Sequence, residues 1–138
     1  MKTYRILTVA LVAALLVGCG AAKFAEEKTL LTTVTKAMEA LTGAIEKADA
    51  PEPVIAALGT FSDKIESFVP AMKKINDEHP EWETNPPDEL KGTMEKFKSA
   101  TEGFQGVLPK LLQMSNDHAD NPQLQDAFRK FQSVVGGL

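Results

Sequence analysis

Large apolar residues recur through this chain at alternating steps of three and four. Leu31, Val34, Met38, Leu41, Ile45 and Ala48 form a first row, preceded by Phe24. Val54, Leu58, Phe61, Ile65, Phe68, Met72 and Ile75 form a second. Leu90, Met94, Phe97, Thr101, Phe104, Leu108 and Leu111 form a third, with Thr101 its polar member and Ala100 beside it. Leu124, Phe128, Phe131, Val135 and Leu138 form a fourth. Such steps put each row on one face of an α-helix, because about 3.6 residues make a turn. A strand needs a period of two, so the rows exclude strands. Lys28, Lys36, Glu39, Glu46 and Lys47 fall off the first row, on the side that faces solvent.

Prolines and polar clusters divide the rows. The first helix is predicted from about Ala22 to Ala48. Asp49-Ala50-Pro51-Glu52-Pro53 ends it. Proline is tolerated only in a helix's first turn, so the second helix starts near Pro51–Pro53 and reaches about Asn76. Pro70 lies inside it and removes the hydrogen bond to the Glu66 carbonyl. The row keeps its phase past Pro70, which predicts a bend rather than a stop. Asn76 to Pro87 is the longest connection and carries His79 and the only tryptophan, Trp82. Loops of this length often make contacts with other molecules, so Trp82 is the candidate for a partner contact. The third helix is predicted from Asp88, as N-cap, to Met114. Gly92, Gly103, Gly106 and Pro109 lower its intrinsic propensity, so it depends on packing. Pro122 opens a short fourth helix, capped by Asn121 or Asp120, and Gly136-Gly137 ends it.

Four one-sided helices need one another's apolar faces. The pattern predicts an all-α fold: an antiparallel four-helix bundle of three long helices and one shorter, over residues 24–138. The alternative is a kinked hairpin array that dimerises or receives a partner helix. A short internal likeness links the ends of the second and third helices. Pro70 and His79 match Pro109 and His118, with the same interval between proline and histidine.

The segment before Cys19 has a different organisation. Lys2 and Arg5 supply a cationic start, and Ile6 to Val17 form an apolar run. That run is well short of the roughly 20 residues that span a bilayer, and fits the core of an export signal. It ends in Leu16-Val17-Gly18-Cys19, the only cysteine in the chain. A lone cysteine cannot close an internal disulfide. This stretch resembles the lipobox of bacterial lipoproteins. The resemblance implies a diacylglycerol on the Cys19 thiol, cleavage after Gly18 and a further acyl chain on the new amino group. Two or more chains anchor stably where one is marginal. In Gram-negative members an Asp after the cysteine favours the inner membrane. Gly20 stands there, which implies the outer membrane, facing the periplasm. Residues 1–18 are then a cleaved signal peptide and 19–23 a lipidated tether.

The mature part is similar in outline to the small periplasmic four-helix b-type cytochromes, notably in Ile45-Glu46-Lys47-Ala48-Asp49 before a proline-started helix. Those proteins hold haem between a methionine near the start of the first helix and a histidine near the end of the last. Met38 loosely stands for the methionine. Gln123 to Leu138 contains no histidine, and no Cys-x-x-Cys-His is present, so no haem is expected.

Other chemistry is sparse. His79 and His118 end successive antiparallel helices, so they sit at opposite ends of a bundle and share no metal within one chain. Met38, Met72, Met94 and Met114 lie on or near the rows, as core filling. The chain has no HExxH, GxSxG or glycine-rich phosphate loop, and no catalytic residue is nominated. Without Lys2 and Arg5 the balance is 13 basic against 19 acidic residues, which argues against nucleic acid as a partner. The sequence therefore points to a lipid-anchored, non-enzymatic envelope protein without cofactor or metal. It is an interaction or structural module, with a possible envelope protein as partner. The alternative is a carrier of a small apolar ligand or lipid in a cavity lined by Phe61, Phe68, Phe97 and Phe104.

Overall fold

The first row lies inward along α1 (Ala25–Lys47): Leu31, Val34, Met38, Leu41 and Ile45 are all buried, and so is Ala48 just beyond it. The structure, a computed structural model, describes residues 24–137. The signal segment, Leu16, Val17, Gly18, Cys19 and the tether lie outside the described residues. Four more α-helices follow: α2 (Pro51–Glu66), α3 (Val69–Glu78), α4 (Asp88–Asp117) and α5 (Pro122–Val135). A single 3-10 turn, Pro80–Glu83, sits between α3 and α4. No strand occurs among the described residues, and the fold is an all-α bundle.

The predicted second helix is interrupted more sharply than a bend. α2 stops at Glu66 and α3 restarts at Val69, with Pro70 in the new helix's first turn. That position removes Pro70's conflict with the preceding turn, since a first-turn N–H has no helical partner anyway. Ser67 and Phe68 stay in right-handed helical geometry, so Ile65 and Met72 both remain buried on either side.

Successive long helices run antiparallel, but the neighbours across the bundle run parallel. α1 packs chiefly on α4 and then on α2, while α2 packs on α5. Near the far ends of α1 and α4, the Lys110 ammonium donates to the Glu46 carbonyl at 2.8 Å. On the other pair, Lys130 meets Asp63, and the Phe61 and Phe131 rings are 5.6 Å apart. The α1–α2 and α4–α5 hairpins thus lie side by side, joined by the long connection.

The third row is displaced by one residue from the seam it was expected to form. Leu90, Thr93, Ala100, Val107, Leu111 and Ser115 are the buried positions of α4. Met94, Phe97, Phe104 and Leu108 are only partly covered. Small side chains at 93 and 100 let α1 approach closely. At Gly103 a methyl group would sit 4.0 Å from the Thr42 Cγ2. On α5, Val134 is buried, whereas Val135 is 39% exposed. Asp88 is not the cap of α4: Pro87 holds that place, and Asp88 sits in the first turn paired with Lys91. Asn121 does cap α5, its side-chain oxygen accepting from the Leu124 N–H at 3.1 Å.

Candidate functional site

The chain enters the described structure at one end of the bundle, and the long connection folds onto that same end. His79 leaves α3 with φ −135° and ψ 57°, which ends the helix. Pro80 then opens the 3-10 turn, closed by the Trp82 N–H donating to the His79 carbonyl at 3.0 Å. This tight turn brings two side chains three residues apart into register. The His79 imidazole lies on the Trp82 indole, with centroids 3.9 Å apart and planes tilted by 5°. The Phe24 ring meets the same indole edge-on at 5.2 Å. His79 Nδ1 is 3.4 Å from a Glu81 carboxylate oxygen.

Trp82 is therefore turned inward, 6% exposed. At Trp82, where a partner contact is expected, the indole packs the loop onto the bundle. Glu81, Glu83, Thr84 and Asn85 are the exposed groups around it. Phe24 has φ 66°, the one positive φ at a non-glycine residue among those described. That geometry costs about 1–2 kcal/mol for a residue with a Cβ. The stacked cluster offsets it.

Beside this cluster runs a groove. α4 has 30 residues and α5 only 14, so at about 1.5 Å per residue one is near 45 Å long and the other near 21 Å. A methyl group added at Gly137 would touch Val69, so α5 runs out level with the start of α3. Beyond that level the seam between α3 and α4 has no fourth helix. Leu31, Met72, Ile75, Met94 and Phe97 line a space of about 430 Å³ there, with His79 and Trp82 at its end. Trp82, Met94 and Phe97 also border a second trough of about 680 Å³ along the outer side of α4. Met94 and Phe97, from the partly covered row of α4, face this incomplete seam.

The four phenylalanines do not share one cavity. Phe61 and Phe104 meet Phe131, the latter pair at 5.5 Å, around a cleft of about 220 Å³. Phe97 lies in the lower groove, and Phe68 sits at the break between α2 and α3. His118 ends α4 at the opposite end of the bundle, near Pro51 and Asp120. Both histidines stop their helices with similar backbone angles, and this is what the internal likeness shares. Pro70 and Pro109 differ: one opens a helix and the other lies within one.

Charges are arranged in exposed pairs. Hydrogen bonding from Lys91 holds the Asp88 carboxyl below its usual range, and the same bond raises Lys91. Lys130 is raised by its hydrogen bond to Asp63, with Glu66 adding to it. Among the described residues no cluster of three or more His, Cys, Asp or Glu is placed to hold a metal. No helix among them is long and apolar enough to cross a membrane. The groove is not readable as a unit from the sequence. Its signal there is the unequal length of the third and fourth rows. Compared with protein families, curated proteins and solved structures, the chain matches none.

Proposed function

We propose that this chain is a lipid-anchored protein of the bacterial envelope, whose helical bundle serves as a non-enzymatic interaction or structural module. The observation that carries the reading is Leu16-Val17-Gly18-Cys19 at the end of an apolar run, five residues before Phe24. Acyl groups on Cys19 hold the protein, and the bundle begins almost at once. Five extended residues span at most about 17 Å, so the Trp82 end of the bundle stays close to the lipid surface. In a Gram-negative cell, Gly20 favours the outer membrane, with the bundle in the periplasm.

The intact mass of protein extracted from membranes tests this. A chain that starts at Cys19 and carries two or three acyl groups supports it. A chain that keeps the segment before Cys19, or begins elsewhere with a free thiol, overturns it.

A second reading, a carrier of an apolar ligand, draws on the cleft among Phe61, Phe104 and Phe131. At about 220 Å³ it is smaller than the roughly 300 Å³ at which ligand pockets begin. It suits a small apolar group and not a lipid.

A further inference from the structure

Residues 69–83, α3 and the 3-10 turn after it, are held to the bundle more lightly than the helices on either side. α3 buries only Met72, and the turn buries only Trp82. The helix before them, α2, buries Val54, Leu58, Phe61 and Ile65. The backbone of α3 comes close mainly to the turn that follows it. The space of about 430 Å³ lies beneath this segment. Met72, Ile75 and His79 border it from the segment, and Leu31, Met94 and Phe97 border it from the bundle. Side chains over a gap forfeit dispersion contacts on that side, so this burial holds less firmly than a close-packed core.

Both ends of the segment are jointed. At Ser67 and Phe68 α2 has stopped and α3 has not begun. Pro70 has no N–H, so the Glu66 carbonyl receives none from it across this joint. At the other end residues 84–87 lie outside any helix and finish in Pro86-Pro87. Between the joints the two pieces are tied together. The Trp82 N–H donates to the His79 carbonyl, and the two rings stack. Phe24, at the start of α1, meets Trp82 edge-on and so links this unit to the first helix.

We infer that residues 69–83 form a lid that lifts as one unit between these joints, with Phe24 against Trp82 as its latch. Shut, the lid covers Leu31, Met94 and Phe97. Lifted, it presents them at the end of the bundle where α1 begins. Lifting gives up the burial of Met72 and Trp82 and leaves the seams of α1 with α4 and of α2 with α5 in place. It therefore costs less than unfolding the bundle, as local openings do. Off the bundle, the ten residues of α3 are too few to keep their hydrogen bonds, so each opening exposes its amides to solvent.

Hydrogen exchange of the full-length protein, read by digestion and mass spectrometry, tests this. In the wild type the amides of Met72 to Glu78 should exchange at least about tenfold faster than those of α5, also a short helix, which buries Leu124, Phe131 and Val134. Phe24→Ala removes the latch without touching α3's own sequence. It should speed exchange in α3 about fivefold and leave α2 unchanged. Exchange in wild-type α3 as slow as in α5 overturns the lid. Exchange in α3 unmoved by Phe24→Ala overturns the latch and the joining of α3 to the turn. A rise shared equally by all the helices also overturns the latch, because Phe24 then acts through the stability of the whole bundle.

Discussion

His79 lies flat against Trp82, ring on ring at 3.9 Å, and the contact ties the end of α3 to the start of α1 through Phe24. A buried aromatic pair of this kind contributes about 0.5–1.5 kcal/mol beyond the area it covers. Trp82→Ala should destabilise the bundle by about 3 kcal/mol, at the low end for removing a buried tryptophan because the site is at one end of the core. His79→Ala should cost about 1 kcal/mol, since it removes the stack and leaves the indole's other packing in place. Urea titration followed by circular dichroism measures both. Equal losses for the two variants would show that the stack, and not the indole's burial, holds this end.

Ser62 is fully buried in α2, and its hydroxyl has no hydrogen-bond partner. An unsatisfied buried hydroxyl costs about 1–3 kcal/mol. Ser62→Ala keeps the shape, removes that cost and favours the helix. The expected result is a gain of about 1 kcal/mol in denaturation; a loss would mean that the hydroxyl is satisfied in solution.

Gly92 and Gly106 lie within α4, and a methyl group added at either meets nothing within 4 Å. Alanine there restricts the unfolded chain and extends helix propensity, worth about 0.5–1 kcal/mol each. Gly92→Ala and Gly106→Ala should each raise the melting temperature, and their effects should add, because the sites are about four turns apart. A drop at Gly106→Ala alone would point to a contact on the face that borders the seam.

Much of this architecture was legible in the rows. α1 buries its row as spaced, and Asn121 caps α5 as its position suggests. Periodicity says which residues share a face but not which helix that face meets, so the parallel pairing of α1 with α4 was not readable. The seam of α4 runs through Thr93, Ala100 and Ser115, small or polar residues that a search for large apolar ones passes over. The phase that persists past Pro70 reads as a bend; the backbone satisfies both demands by restarting the helix around the proline. Trp82 stands out as a lone aromatic in a polar loop. Its direction depends on the 3-10 turn and on Phe24 at the bundle's end, neither of which a local pattern contains.

Lys130 pairs across the α2–α5 contact with Asp63 and Glu66, and its ammonium group is raised above its ordinary value of 10.5. A group raised in the folded state adds stability that is complete below its unfolded value. That stability fades as pH climbs through the folded value. The difference in denaturation midpoint between wild type and Lys130→Met should therefore hold steady from neutral pH to about 10 and shrink above it. Salt should also shrink it, because the pair is exposed. A difference that grows in strong alkali would contradict the pairing.

The anchor itself is tested most directly by replacing one atom. Cells expressing wild type or Cys19→Ser are grown with labelled palmitate, and the protein is isolated and its mass measured. Wild type should carry label and begin at Cys19. The Cys19→Ser chain should carry none and keep the whole segment from Met1 to Gly18. Label incorporated equally into both chains, with both trimmed alike, would contradict a lipid tether at Cys19.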